Sequence, residues 1–83
     1  MKYYEVVTIK NGDEYTEYEG LDLETALVAK AEALRYFEEG LTDFDKKNRS
    51  IECRVYDLPD DTDFSDKMEI ADAICNCVGY NNF

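Results

Sequence analysis

The sequence predicts an α+β fold: a small, mostly antiparallel sheet of three strands with two helices packed on one of its faces. Three observations carry this expectation. A segment rich in Tyr, Val, Thr and Ile precedes an Asn11-Gly12 pair, acids alternating with Tyr and Thr follow it, and a third alternating segment runs from Ser50 to Leu58. Apolar residues recur at helical spacing after Asp22 and again after Ser65.

The first strand spans Lys2 to Ile9, and Lys10-Asn11-Gly12-Asp13 turns the chain, because Asn and Gly both tolerate positive φ. Glu14 to Glu19 alternates acids with Tyr15, Thr16 and Tyr18, as an outer strand with one wet face does. A loop of two or three residues fits, which leaves the register open. Leu21 and Asp22 start the first helix, Asp22 as its cap, and Gly40 stops it. Ala26, Leu27, Ala31, Leu34, Phe37 and Leu41 form its apolar stripe, with Glu32 and Arg35 spaced to pair on the wet side.

Thr42 to Arg49 is a polar connection holding Lys46, Lys47 and Arg49, the one basic cluster. In the third strand Ile51, Cys53 and Val55 point one way and Glu52, Arg54 and Tyr56 the other, until Pro59 ends the ladder. Asp63 or Ser65 caps a second helix whose buried side is Met68, Ile70, Ala71, Ile74, Cys75 and Val78, with Gly79 as its stop. The Tyr80–Phe83 tail folds back by its aromatics. The element order is strand, strand, helix, strand, helix; a right-handed crossover would put the first strand between the other two. Alternating strands favour both helices on one face.

With 83 residues the chain makes one acidic domain over 1–83, far below the ~250 residues at which chains split. A hydrophobic fraction of 45%, seven Tyr and four Phe supply a thin core. Twenty acidic against nine basic residues give a net charge of −11. That charge disfavours direct nucleic-acid binding and anionic membranes, and favours basic proteins. No basic leader, long apolar run or paired cysteine framework stands out, so the reading is a reduced, cytoplasmic protein without cofactors.

The segment from Asp57 to Asp72 carries seven acids in sixteen residues, against Lys67 alone. Its plainest reading is a solvated turn leading into a capped helix. Its functional reading is a negative surface for a basic groove, with Asp57, Asp60, Asp61, Asp63, Asp66 and Glu69 as contacts and Glu14, Glu17 and Glu19 as a second patch. A calcium loop counted from Asp61 places Asp63, Ser65 and Asp72 at ligand positions, yet Asp66 stands where a Gly belongs and Asp72 where a Glu belongs. Cys75 and Cys77 have only Cys53 as a further soft ligand, too few for zinc. Cys53 and Cys75 fall on core faces, leaving Cys77 as the thiol to test for exposure. No histidine, nucleophile elbow or phosphate loop is present, so the chain reads as no enzyme. The tyrosines serve packing or an interface, with Tyr56 beside Tyr3 or Tyr4 as a contact patch on the outer sheet face.

The Asn11-Gly12 hairpin, the helix started by Asp22 and the Tyr56-Asp57-Leu58-Pro59-Asp60-Asp61 stretch resemble small orphan proteins of bacteriophages and mobile elements. That class includes anti-CRISPR proteins and other DNA mimics. The resemblance implies an inhibitor acting through an acidic surface, and it carries over no functional residue. The expected function is thus a non-enzymatic acidic binding domain that occupies the basic groove of a nucleic-acid-binding protein. The alternative is an accessory domain that forms a homodimer through apolar and Tyr surface.

Overall fold

A computed structural model of the chain describes residues 1–39, 47–77 and 79–83, to which every statement below applies. The elements are β1 (Lys2–Lys10), β2 (Asp13–Gly20), α1 (Leu23–Glu39), β3 (Arg49–Asp57), α2 (Lys67–Cys75) and β4 (Asn81–Asn82). The expected helix stop at Gly40, most of the 42–49 connection, and the burial of Leu41 and Val78 lie outside the described residues.

The class is α+β, with two helices and an antiparallel sheet. The sheet has four strands in the order β2-β1-β3-β4, which corrects the expected three and adds a strand at the end of the chain order. The extra strand is two asparagines, a residue depleted in strands, and its neighbours hold it there. The Phe83 ring meets Tyr4 edge-on with centroids 5.4 Å apart, Tyr80 tilts onto Tyr56 at 5.5 Å, and the Phe83 N–H donates to the Cys53 carbonyl at 3.1 Å.

Asn11 (φ 53°) and Gly12 (φ 88°) both take positive φ, giving the two-residue turn that joins strands twisting in their native sense. Lys10 stands opposite Asp13, and Val6 and Val7 stand opposite Tyr18 and Thr16, so Glu17 is the extra residue of a bulge. Asp22 starts α1 as expected. Its carboxylate accepts from the Glu24 N–H at 3.2 Å and from the Thr25 hydroxyl at 2.5 Å.

The helices cover opposite faces of the sheet, which corrects their expected placement on one. Tyr4, Val6 and Cys53 pack with Ala26, Ala29 and Ala33 of α1, whereas Tyr3, Tyr56 and Leu58 pack with Ile70, Ala73 and Ile74 of α2. Successive side chains of a strand point to opposite faces, so the neighbours Tyr3 and Tyr4 cannot share one. The cause is visible in β1, where Tyr3, Tyr4, Val6 and Val7 are all buried, as in a strand covered on both sides. Burial of Tyr3, Tyr4 and Tyr56 also removes them as an exposed contact patch.

Each helix keeps part of its expected buried side, Ala26 on α1 and Ile70 and Ile74 on α2, and turns the rest away. On α1 the alanines at 26, 29 and 33 let the backbone approach the sheet, while Leu27 and Leu34 remain more than two-fifths exposed and Ala31 is exposed. Glu32 and Arg35 form no ion pair among the described residues. Asp66, and not Asp63 or Ser65, caps α2, accepting from the Met68 N–H at 3.0 Å. Starting the helix there turns Ile70, Ala73, Ile74 and the following Cys77 inward and leaves Met68, Ala71 and Cys75 exposed.

Candidate functional site

The acids after β3 line the connection to α2 and α2 itself. Asp57, the last residue of β3, instead alternates onto the face of Val55 and Cys53, the α1 side of the sheet. Asp57 ends β3 opposite Lys2, with its side chain exposed. Asp60 takes the Met1 ammonium at 2.8 Å, which holds its carboxyl below the usual carboxylate range. Asp63 folds back on the turn, accepting from the Ser65 N–H at 3.0 Å and the Ser65 hydroxyl at 2.5 Å; those bonds lower its pKa too. Asp66 is spent on the α2 cap. Asp61 and Glu69 are exposed, and Asp72 is exposed further along α2.

Three of the six predicted contacts are thus anchored by hydrogen bonds, and among them only Asp60 meets a positive group. A carboxylate that accepts N–H and O–H bonds keeps its charge while losing its freedom. The turn therefore presents negative charge on an ordered frame. The calcium geometry is not assembled: Asp63 and Ser65 bond to each other, Asp72 is helical, and among the described residues no three His, Cys, Asp or Glu are grouped to hold a metal.

The β2 glutamates do not form one patch. Glu17, the bulged residue, accepts from the Thr8 hydroxyl at 3.2 Å on the α1 side. Glu14 is drawn into an ion pair with Arg54. Glu19 lies directly opposite Glu5 at the edge of a cavity of about 630 Å³ between β2 and α2. Tyr3, Phe64, Ile70 and Ile74 contribute its apolar lining, and Glu5, Glu19 and Asp22 its carboxylates, with Lys67 at the α2 side. This groove joins one member of the second patch to the turn and helix that carry the first, and residue spacing had no means of showing it.

Arg54 organises the rest of that face. Its guanidinium pairs with Glu14 and Glu52, lies 4.0 Å from Glu5, and sits 5.3 Å from the Tyr80 ring centroid. The Tyr80 hydroxyl donates to Glu52 at 3.3 Å. The Arg54 contact holds Glu52 below the usual carboxylate range, and the two carboxylates push the arginine higher still. Burial pushes the hydroxyls of Tyr3 and Tyr56 up to about 12, with Glu19 and Glu5 adding to Tyr3 and Glu5 to Tyr56. The one sign of this network in the sequence is Glu52-x-Arg54, two residues on the same face of a strand.

A scan of protein-family models matches none, and searches of the curated proteins and of the solved structures return no similar chain. Among the described residues no helix is long and apolar enough to cross a membrane.

Proposed function

We propose that this protein is a non-enzymatic acidic domain that binds a basic protein surface, of the kind a nucleic-acid-binding protein offers to its ligand. The observation supporting this reading is the ordered acidic turn: Asp63 and Asp66 are fixed by hydrogen bonds to uncharged donors, and Asp57, Asp61, Glu69 and Asp72 form no ion pair among the described residues. Charges held outward without internal counterions repel one another, and a cationic partner relieves that repulsion on docking. The groove beside Glu5 and Glu19 suits a Lys or Arg side chain, whose aliphatic stem would lie on Tyr3 and Ile70. Occupation of a basic groove would exclude nucleic acid from it, which makes the domain an inhibitor.

The test is calorimetry against a panel of basic nucleic-acid-binding domains, with duplex and single-stranded oligonucleotides as competitors. Binding should be lost to the competitor and fall at least about tenfold between low and physiological salt. A variant carrying D57N, D61N, E69Q and D72N spares every cap and ion pair described, and should bind about tenfold or more weakly. Salt-insensitive binding, or full affinity in that variant, overturns the reading.

A second reading, association of two copies, is favoured by one observation. Leu23, Leu27 and Leu34 are each about two-fifths exposed and share a flank of α1 with exposed Ala31. If copies meet there, light scattering should show a dimer that persists at high salt, and Leu27→Glu should return it to monomer. A monomer at every salt concentration rejects this second reading.

A further inference from the structure

The basic cluster has no place in the acidic surface, and the fold gives part of it a distinct setting. Lys10 and Arg49 stand directly opposite each other at the end of the β1–β3 ladder. Like charges at such a position repel, costing the sheet stability unless a counterion is present. In a chain with twenty acids, neither cation forms an ion pair among the described residues. Asp13 faces Lys10 across the hairpin and still does not come within ion-pair distance.

Both cations line a cavity of about 360 Å³ between the second half of α1 and the sheet, on the face away from α2. That volume is within the range of small-molecule sites, roughly 300–1,000 Å³. Tyr15, Tyr36, Phe37 and Ile51 supply apolar lining. Tyr15 and Tyr36 are 52% and 62% exposed, so their rings have surface to offer that the core does not use. Two carboxylates also reach the cavity. Glu17 accepts from the Thr8 hydroxyl, and Glu32 stands on the α1 face that carries Ala29, Ala33 and Tyr36 into the cavity.

We propose that this cleft binds a small planar anion, a flat apolar ring bearing a carboxylate or phosphate, with its charge on Lys10 and Arg49 and its ring against Tyr15 and Tyr36. The two cations supply charge-assisted donors, and the tyrosines supply stacking surfaces at low entropic cost. The bound anion screens the Lys10–Arg49 repulsion, a gain that a neutral ring does not provide. This site is independent of the acidic turn and of the function proposed for it.

The experiment is a two-dimensional NMR titration of the full chain with naphthalene-2-carboxylate and with naphthyl phosphate, the two arms separating the carboxylate source from the phosphate source. Naphthalene-2-methanol and inorganic phosphate serve as controls. Saturable shifts are expected at Lys10, Tyr15, Tyr36 and Arg49, with both controls at least about tenfold weaker. The K10Q/R49Q variant should lose about 10–100-fold in affinity for the ring anion. If that variant does not fold, Tyr36→Ser at an exposed position replaces it and should also bind more weakly. Equal binding of the neutral ring, equal binding of inorganic phosphate, undiminished affinity in the variant, or shifts confined to the α2 face each overturns the proposal.

Discussion

Arg54→Ala is expected to destabilise the fold by about 2–4 kcal/mol at neutral pH, measured by urea unfolding. The guanidinium is largely buried, with side-chain exposure of 15%, and it is the cation around which Glu5, Glu14 and Glu52 gather. Deleting one member of a buried ion pair costs about 3–5 kcal/mol, since the remaining charge has been taken from water without compensation. Here the cost is reduced because Glu14 and Glu52 are one-third to one-half exposed and recover hydration. Against a total of about 4–12 kcal/mol for a domain of this length, the loss is severe. The penalty should also depend on pH with a definite sign. Glu52 is held below its ordinary pKa in the folded protein, so its contribution is fully present above that ordinary value and is lost as pH falls through the lowered one. The gap between wild type and Arg54→Ala should therefore narrow in acid. A variant that combines Arg54→Met with Glu5→Gln, Glu14→Gln and Glu52→Gln should recover most of the loss. An Arg54→Ala protein of wild-type stability would show that the cluster contributes nothing.

The local signals were legible where chemistry leaves few alternatives. Asn11-Gly12 specified its turn because few residue pairs take two positive φ values cheaply, and Asp22 specified a helix start because its carboxylate reaches the second N–H of the helix. The placement of the helices was also written in the chain, in the near-continuous apolar run Tyr3, Tyr4, Val6, Val7. Alternation in β3 outweighed it, and β3 alternates because its second face carries Arg54, Glu52 and Tyr56 under Tyr80, not because that face is wet. Long polar side chains covering a sheet face look like solvated positions to any reading of hydrophobic period. The α1 stripe went astray for a related reason. Leucines rank above alanines in hydrophobicity, yet close packing of helix on sheet favoured Ala26, Ala29 and Ala33 and displaced the leucines to the flank.

The acidic surface was legible as a composition and not as a geometry. Seven acids between 57 and 72 are visible by counting, but their uses differ: Asp66 caps, Asp63 closes a turn, Asp60 meets an ammonium, and Asp61 is exposed. Nothing in spacing could assign these, because each depends on where helix α2 starts. The Glu5–Glu19 groove depends on the β1–β2 register, which shifts at the Glu17 bulge, and the Lys10–Arg49 pair depends on the unshifted β1–β3 register. A one-residue slip of β2 would move each of its acids to the other face.

Alkali should unfold this protein in a narrow window, and two buried tyrosines are the reason. Tyr3 and Tyr56 are 4% and 7% exposed, and their hydroxyls stay protonated up to about 12 against an ordinary value near 10. Burial is the main cause, and the neighbouring Glu19 and Glu5 add to it by disfavouring a second negative charge. The unfolded chain releases these protons near pH 10 while the folded chain retains them. Stability from this source is therefore complete below about pH 10 and disappears as pH rises to about 12. Each pH unit between the two values is worth about 1.4 kcal/mol, so each tyrosine withdraws about 2–3 kcal/mol and the pair about 5. That sum is comparable with the whole stability of a small domain, and circular dichroism should show a cooperative alkaline transition between those limits. Tyrosinate absorbance from Tyr3 and Tyr56 should rise only with unfolding, so its onset should coincide with the circular dichroism transition. Tyr3→Phe with Tyr56→Phe removes both protons from the linkage while keeping the rings. That variant should hold its fold to higher pH than the wild type, and an unchanged alkaline midpoint would locate the sensitivity elsewhere.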